Sequence, residues 1–263
     1  MYSWQSFHEL FAFGSKLLAS GLLDTVYRNI YPIAIGKLFS ASNLGHYTRA
    51  QHFSEFPSSN ITGILQRVTY PVLCEIQNDD TRLAGFYRKF LKLSAFIVFP
   101  LMTVLSAVAQ PLVNKMLGPQ WEFCGLLLQI ICFSMMWHPI HAINLNLLLV
   151  KGRPDLSLRL EIIKKALGVS VLCITAPYGL IVMCYGQIFN SLVALTINTY
   201  YTGKLIHVGF FRQMRDLLPT IALCLAMFAL ILTVNHFMSS DIMKLCIGIP
   251  IGMSFYISSS RIF

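Results

Sequence analysis

Charge is the scarcest thing in this 263-residue chain: Asp, Glu, Lys and Arg make up 12% of it, against 56% apolar residues. A water-soluble domain carries about 25% charged residues, so a soluble enzyme is excluded. Acids are scarcer than bases, eleven against twenty, and the formal charge is +9. Nucleic-acid binders set such an excess on a wetted surface and have no use for long uncharged runs, so no nucleic-acid partner is expected. The seven cysteines include no CxxC pair and no His at ligand spacing, which points to neither a disulfide framework nor a zinc site. GxxxxGK[ST], HExxH and GxSxG are missing too, so P-loop hydrolysis, zinc proteolysis and nucleophile-elbow chemistry have no foothold. No cofactor is implied.

What the chain has in abundance is uncharged length. Leu93 to Asn114, Phe123 to Val150, Ala166 to Gly203, Leu217 to Ser240 and Leu245 to Ser260 contain no Asp, Glu, Lys or Arg. As one helix, Ala166 to Gly203 would extend for roughly 57 Å, about twice the hydrocarbon core, and Ala176-Pro177-Tyr178-Gly179 breaks it into two spans. Phe11 to Leu38 and His52 to Ile76 are also helix-length and mainly apolar. The expected fold is therefore an all-α, polytopic membrane bundle of about eight transmembrane helices. Lys and Arg alternate between the connections as the positive-inside rule requires. Arg82, Arg88, Lys89, Lys92, Lys151, Arg153, Arg159, Lys164, Lys165, Lys204, Arg212 and Arg215 fall on one side, with Lys16 and Arg261 near the ends. The other side has Lys37, Arg49, Lys115 and Lys244. Both termini are expected in the cytoplasm, and the basic loops can also touch anionic membrane lipids.

Ionisable side chains at bilayer depth cost several kcal/mol unless they face water or a partner, so those inside the spans are functional candidates. Asp24 and Arg28 lie four apart on one helix face, either as a self-neutralising pair or as part of a site. Arg67 has no acid at helical spacing and needs water, carbonyls or an anionic ligand, unless it snorkels to the headgroups. Glu55, beside Pro57, reads as a mouth residue more readily than as a proton carrier. His138 and His141, with Asn144, make their span polar; without a third ligand in view, interhelical hydrogen bonding is favoured over metal binding. Gln187 and Asn190 are hydrogen-bonding residues or a sugar-facing wall.

Four stretches carry a family resemblance: LGHYTRAQ at Leu44 to Gln51, ILQRVTYPVL at Ile64 to Leu73, QNDDTRL at Gln77 to Leu83 and YRKFLK at Tyr87 to Lys92. With FGSKLLASGLLDTVYRNIYPIAIGKLFS upstream and KGRPDLSLRLEIIKK downstream, the chain resembles the polysaccharide transporter family of the multidrug/oligosaccharidyl-lipid/polysaccharide flippase superfamily. Beyond Ala166 the likeness rests mainly on hydropathy.

The resemblance implies two six-helix lobes facing each other across a cavity, followed by two terminal helices. On it, residues 1–205 form the second lobe and 206–263 the terminal pair, and the first lobe is missing. It implies alternating access, in which undecaprenyl-pyrophosphate-linked oligosaccharide crosses the bacterial cytoplasmic membrane for lipopolysaccharide, O-antigen or other surface polysaccharide. The protein is then no enzyme, and it needs an amino-terminal lobe or a second copy as partner. Arg28 and Arg67 are the candidate diphosphate-binding residues, Asp24 and Glu55 the coupling or charge-tuning ones. His138, His141, Asn144, Gln187 and Asn190 are the candidate cavity-lining polar residues. The competing readings are a membrane-embedded polysaccharide-assembly enzyme, such as a polymerase, and an inactive truncated fragment.

Overall fold

The structure, a computed structural model, describes residues 4–238 and 240–260, the side chains at 5–10, 12, 13, 16 and 20 aside. Arg261 and the Lys16 side chain, both counted in the charge pattern, lie outside the described part. Among the described residues the chain is helical with no strand, in ten α-helices: Trp4–Leu38 (α1), Ala41–Glu75 (α2), Asp80–Ala107 (α3), Ala109–Leu117 (α4), Glu122–Met135 (α5), His138–Val150 (α6), Pro154–Thr175 (α7), Leu180–Ile206 (α8), Phe210–His236 (α9) and Asp241–Ser260 (α10). Five segments among the described residues are long and apolar enough to cross a membrane: α3, Pro119–Val150 (which includes α5 and α6), α8, α9 and α10. With the more polar α1, α2 and α7, they make the expected bundle of about eight.

Local chemistry sets the boundaries. Ser40 Oγ caps α2 by accepting from the Asn43 amide (3.2 Å), and the Asp79 carboxylate caps α3 by accepting from Thr81 and Arg82. Pro154 opens α7, where its missing N–H is no loss. Ala176-Pro177-Tyr178-Gly179 does form the expected turn, with Gly179 at φ 104°, a conformation that side chains with a Cβ rarely adopt. Helix α7 begins at Pro154, so Arg159, Lys164 and Lys165, expected at the entry to the fifth span, lie well inside it.

Three prolines show how the bundle stays hydrogen-bonded in hydrocarbon. A proline inside a helix leaves the carbonyl four residues earlier without its amide donor. Pro100 does this to Phe96 within α3, and Pro111 and Pro139, in the first turns of α4 and α6, leave the same gap at Ala107 and Met135 across the α3–α4 and α5–α6 junctions. Each carbonyl is met by a side chain of another helix: Tyr256 Oη donates to Phe96 O (3.0 Å), Asn235 Nδ2 to Ala107 O (3.4 Å) and Ser58 Oγ to Met135 O (2.8 Å). Lipid offers no water for this purpose, so neighbouring helices must supply the bond.

The packing order follows from which faces are apolar. Helix α2 lies against α3, α5 and α6; α1 against α2 and α7; α7 against α8, which also packs on α5 and α6. These contacts leave a space ringed by α1, α2, α5, α6, α7 and α8. Helix α9 lies along α3 and α10 along α9. Leu217, Cys224 and Ile231 of α9 are buried, while Leu218, Leu225 and Leu232, one residue on, face outward. A helix apolar on both faces suits a position between protein and lipid. Asp216 fixes its start, accepting from Arg88 Nε (2.6 Å) and Nη2 (2.7 Å), with Lys92 Nζ at 3.2 Å.

Candidate functional site: an ionised cavity inside an apolar bundle

The ringed space is a cavity of about 690 Å³. Its walls reach from Tyr47 and Gln187, each two turns into its helix, to Leu149 and Ser157, each within a turn of the α6–α7 connection. Among the described residues, six acidic or basic side chains line it, besides two histidines: Asp24 and Arg28 from α1, Glu55 from α2, and Glu161, Lys164 and Lys165 from α7. Lys165 sits about 16 Å along α7, a helix of 22 residues, so the charges lie near mid-length.

These six form one unbroken chain of alternating sign. Glu55 Oε1 accepts from Arg28 Nη1 (3.2 Å), and Arg28 Nε donates to Asp24 Oδ2 (2.8 Å). Asp24 Oδ1 accepts from Lys165 Nζ (2.6 Å), which also approaches Glu161 Oε2 (3.5 Å), and Lys164 closes the chain on Glu161 Oε1. Three carboxylates face three cations, so the formal charges cancel. Asp24 and Arg28 form the i, i+4 pair that their spacing suggests, but both also reach other helices. The chain ties α2 to α1 and α1 to α7, where Tyr27 packs its hydroxyl against Gly168 and its ring under Lys165 Nζ, 4.3 Å from the centroid. Only glycine fits at 168, since any Cβ there would overlap the Tyr27 side chain.

The neutral polar residues hold one another across helices. Gln187 Nε2 donates to Tyr47 Oη (2.6 Å) and Asn190 Nδ2 to Tyr27 Oη (3.3 Å). His141 Nδ1 lies 3.2 Å from Asn198 Nδ2 of α8. Its Nε2 shares a hydrogen bond with Ser191 Oγ (3.1 Å). His138 Nδ1 faces Thr62 Oγ1 at 3.4 Å. Both histidines therefore make the interhelical hydrogen bonds favoured from sequence. Among the described residues no group of three or more His, Cys, Asp and Glu is placed to hold a metal ion.

Seven of the nine candidates thus line one cavity: Asp24, Arg28, Glu55, His138, His141, Gln187 and Asn190. The other two lie elsewhere. Asn144 is buried on another face of α6, where it accepts from Tyr87 Oη (2.8 Å) and pairs with Gln213, tying α3, α6 and α9 together. Arg67 is exposed and is not among the lining residues, although its neighbour Gln66 is. A helix turns by about 100° per residue, so adjacent positions face different ways. Sequence reasoning missed Glu161, Lys164, Lys165, Tyr27 and Tyr47. The one local signal was the Glu161–Lys165 spacing of four, the same spacing that exposed Asp24–Arg28.

An ion-paired cavity of this size, walled by membrane-length helices, defines a polytopic membrane protein built around a polar internal site. The sequence profile of a family described as "Polysaccharide biosynthesis protein" matches residues 1–125. The chain is 24% identical over 262 residues to the teichuronic acid biosynthesis protein TuaB of Bacillus subtilis (strain 168), covering 98% of this chain and 54% of that protein. It is 25% identical over 187 residues to the lipopolysaccharide biosynthesis protein WzxC of Escherichia coli (strain K12), covering 71% of this chain and 37% of that one. Among solved structures, its fold is similar to that of the lipid II flippase MurJ in an inward closed conformation, with a TM-score of 0.77 and 16% identity, over 100% of this chain and 56% of that one. The chain is thus similar in sequence to polysaccharide biosynthesis proteins, and in fold to a lipid flippase. It spans about half the length of TuaB, and less of WzxC.

Proposed function

We propose that this chain forms one lobe of a flippase that moves undecaprenyl-pyrophosphate-linked oligosaccharide across the bacterial cytoplasmic membrane for surface polysaccharide biosynthesis. Residues 1–205 are the six-helix lobe and 206–263 the terminal pair, with both chain ends on the cytoplasmic side. The observation that carries this reading is the cavity: a hydratable, ionised space inside helices whose outer faces are apolar. Such a space takes a polar headgroup through hydrocarbon while the lipid tail stays outside. Transport of this kind needs no covalent chemistry, so the protein works as a carrier and not as an enzyme.

Exposure supports a partner lobe. The Arg28 side chain is 55% exposed near the middle of the bundle, and an ionised group facing hydrocarbon there costs several kcal/mol. Its open side therefore faces water held between this lobe and another, either an amino-terminal lobe or a second copy. Alternating access rocks one such lobe against the other around the shared cavity. Arg28 meets the diphosphate, Asp24 and Glu55 balance its charge, and Gln187, Asn190 and the histidines shape the neutral wall.

The test is complementation of a bacterial strain lacking its own glycan flippase with the protein that carries this chain. Wild type restores surface polysaccharide, and Arg28→Ala lowers it at least tenfold at equal membrane abundance. Full export by Arg28→Ala would overturn the assignment.

A further inference from the structure

Asp24 occupies an unusual position in the ion-pair chain: it is the one acid shared by two cations from different helices. Its Oδ2 takes Arg28 Nε of α1 at 2.8 Å and its Oδ1 takes Lys165 Nζ of α7 at 2.6 Å. Each cation also has support of its own. Arg28 keeps Glu55 at 3.2 Å, while Lys165 keeps Glu161 at 3.5 Å and the face of Tyr27 beneath it. Neither cation relies on Asp24 alone for a partner. Glu161 is deeply buried, whereas the Asp24 side chain is 35% exposed and lines the cavity. Among these acids Asp24 is thus both the bridge and open to displacement from the cavity.

We propose that Arg28 and Lys165 together form a binding site for one phosphoryl group, and that the Asp24 carboxylate is its resident occupant in the unloaded state. A carboxylate and a phosphoryl group each present two oxygens to two N–H donors in nearly the same way, and charge-assisted bonds of this kind are the strong ones. The incoming phosphoryl group replaces the carboxylate bond for bond, and Asp24 swings into the cavity. The inference rests on the flippase reading for its ligand class and adds two things to it. Lys165 becomes a substrate-binding cation, and Asp24 becomes an autoinhibitory anion that keeps the site closed to stray phosphate.

The prediction runs against the usual expectation for a polar site residue, because removing Asp24 should improve binding. Inorganic pyrophosphate is titrated against the purified protein in detergent micelles, in parallel with undecaprenyl pyrophosphate and with phosphatidylglycerol as competitor. Asp24→Asn is expected to bind pyrophosphate at least tenfold more tightly than wild type, about 1.4 kcal/mol. Asp24→Glu, which keeps a carboxylate, stays near wild type, and Asp24→Asn with Lys165→Met loses the gain. Melting curves check folding, and Asp24→Ser replaces Asp24→Asn if that variant is unfolded. Equal binding by wild type and the carboxylate-free variants, dependent on Arg28, would overturn the inference and leave the diphosphate reading standing. No binding of pyrophosphate or lipid diphosphate by any variant would overturn both. Equal loss of the gain to phosphatidylglycerol would mark a phospholipid headgroup site and overturn the assignment to a transported lipid.

Discussion

The bond between Tyr256 and the Phe96 carbonyl can be tested by a double-mutant cycle, because its cause is known. The carbonyl lacks a partner only because Pro100 has no N–H. Tyr256 is 2% exposed and its hydroxyl lies 3.0 Å from Phe96 O, so Tyr256→Phe removes one oxygen and leaves the carbonyl orphaned at little change in shape. An orphaned buried acceptor costs about 1–3 kcal/mol, and interhelical hydrogen bonds in membranes average about 0.6. The expected loss is about 1 kcal/mol. In a Pro100→Ala background the new amide reaches Phe96 O along the helix, and the hydroxyl becomes dispensable. Tyr256→Phe should then cost close to nothing, giving a coupling energy of about 1 kcal/mol between Pro100 and Tyr256. Reversible unfolding in mixed micelles, read by circular dichroism, supplies the four stabilities. An equal cost in both backgrounds would refute the reasoning, since the hydroxyl would then not be compensating the proline.

Two further perturbations probe how the helices are held. Gly168→Val should push Tyr27 out of its seat, cost about 1–3 kcal/mol and widen the α1–α7 distance between spin labels; adding Tyr27→Ala should restore most of that distance, and failure to do so would count against the seat. Asp216→Asn removes the clamp on α9, and because Arg88 and Lys92 are more than a third exposed the loss is about 1 kcal/mol. Faster hydrogen exchange in the first turns of α9 is the readout, and unchanged exchange would show that the clamp contributes nothing.

The fold was legible where a residue's effect is local. Uncharged runs of membrane length and the break at Ala176 to Gly179 depend on nearby residues alone, and they appear where expected. The site was legible where both partners share a helix turn, as with Asp24 and Arg28. It was not where a charge finds its partner across the bundle. Lys165 lies 141 residues from Asp24, and a hydropathy reading treats a paired lysine inside a helix like one in a cytoplasmic loop. Arg67 and Asn144 illustrate the converse: depth along a helix follows from residue number, but the face they present depends on neighbours that the local sequence does not specify.

The cancellation of charge in the cavity bears on the membrane potential. Moving one elementary charge through a potential of 100 mV involves about 2.3 kcal/mol. The three acids and three bases described in the cavity carry none in sum, so an unloaded lobe that reorients does no net electrical work through them. On the proposed function, a bound diphosphate brings negative charge, which an inside-negative potential drives outward. The loaded step would then feel the voltage and the empty return would not, an asymmetry that makes the cycle run preferentially toward export.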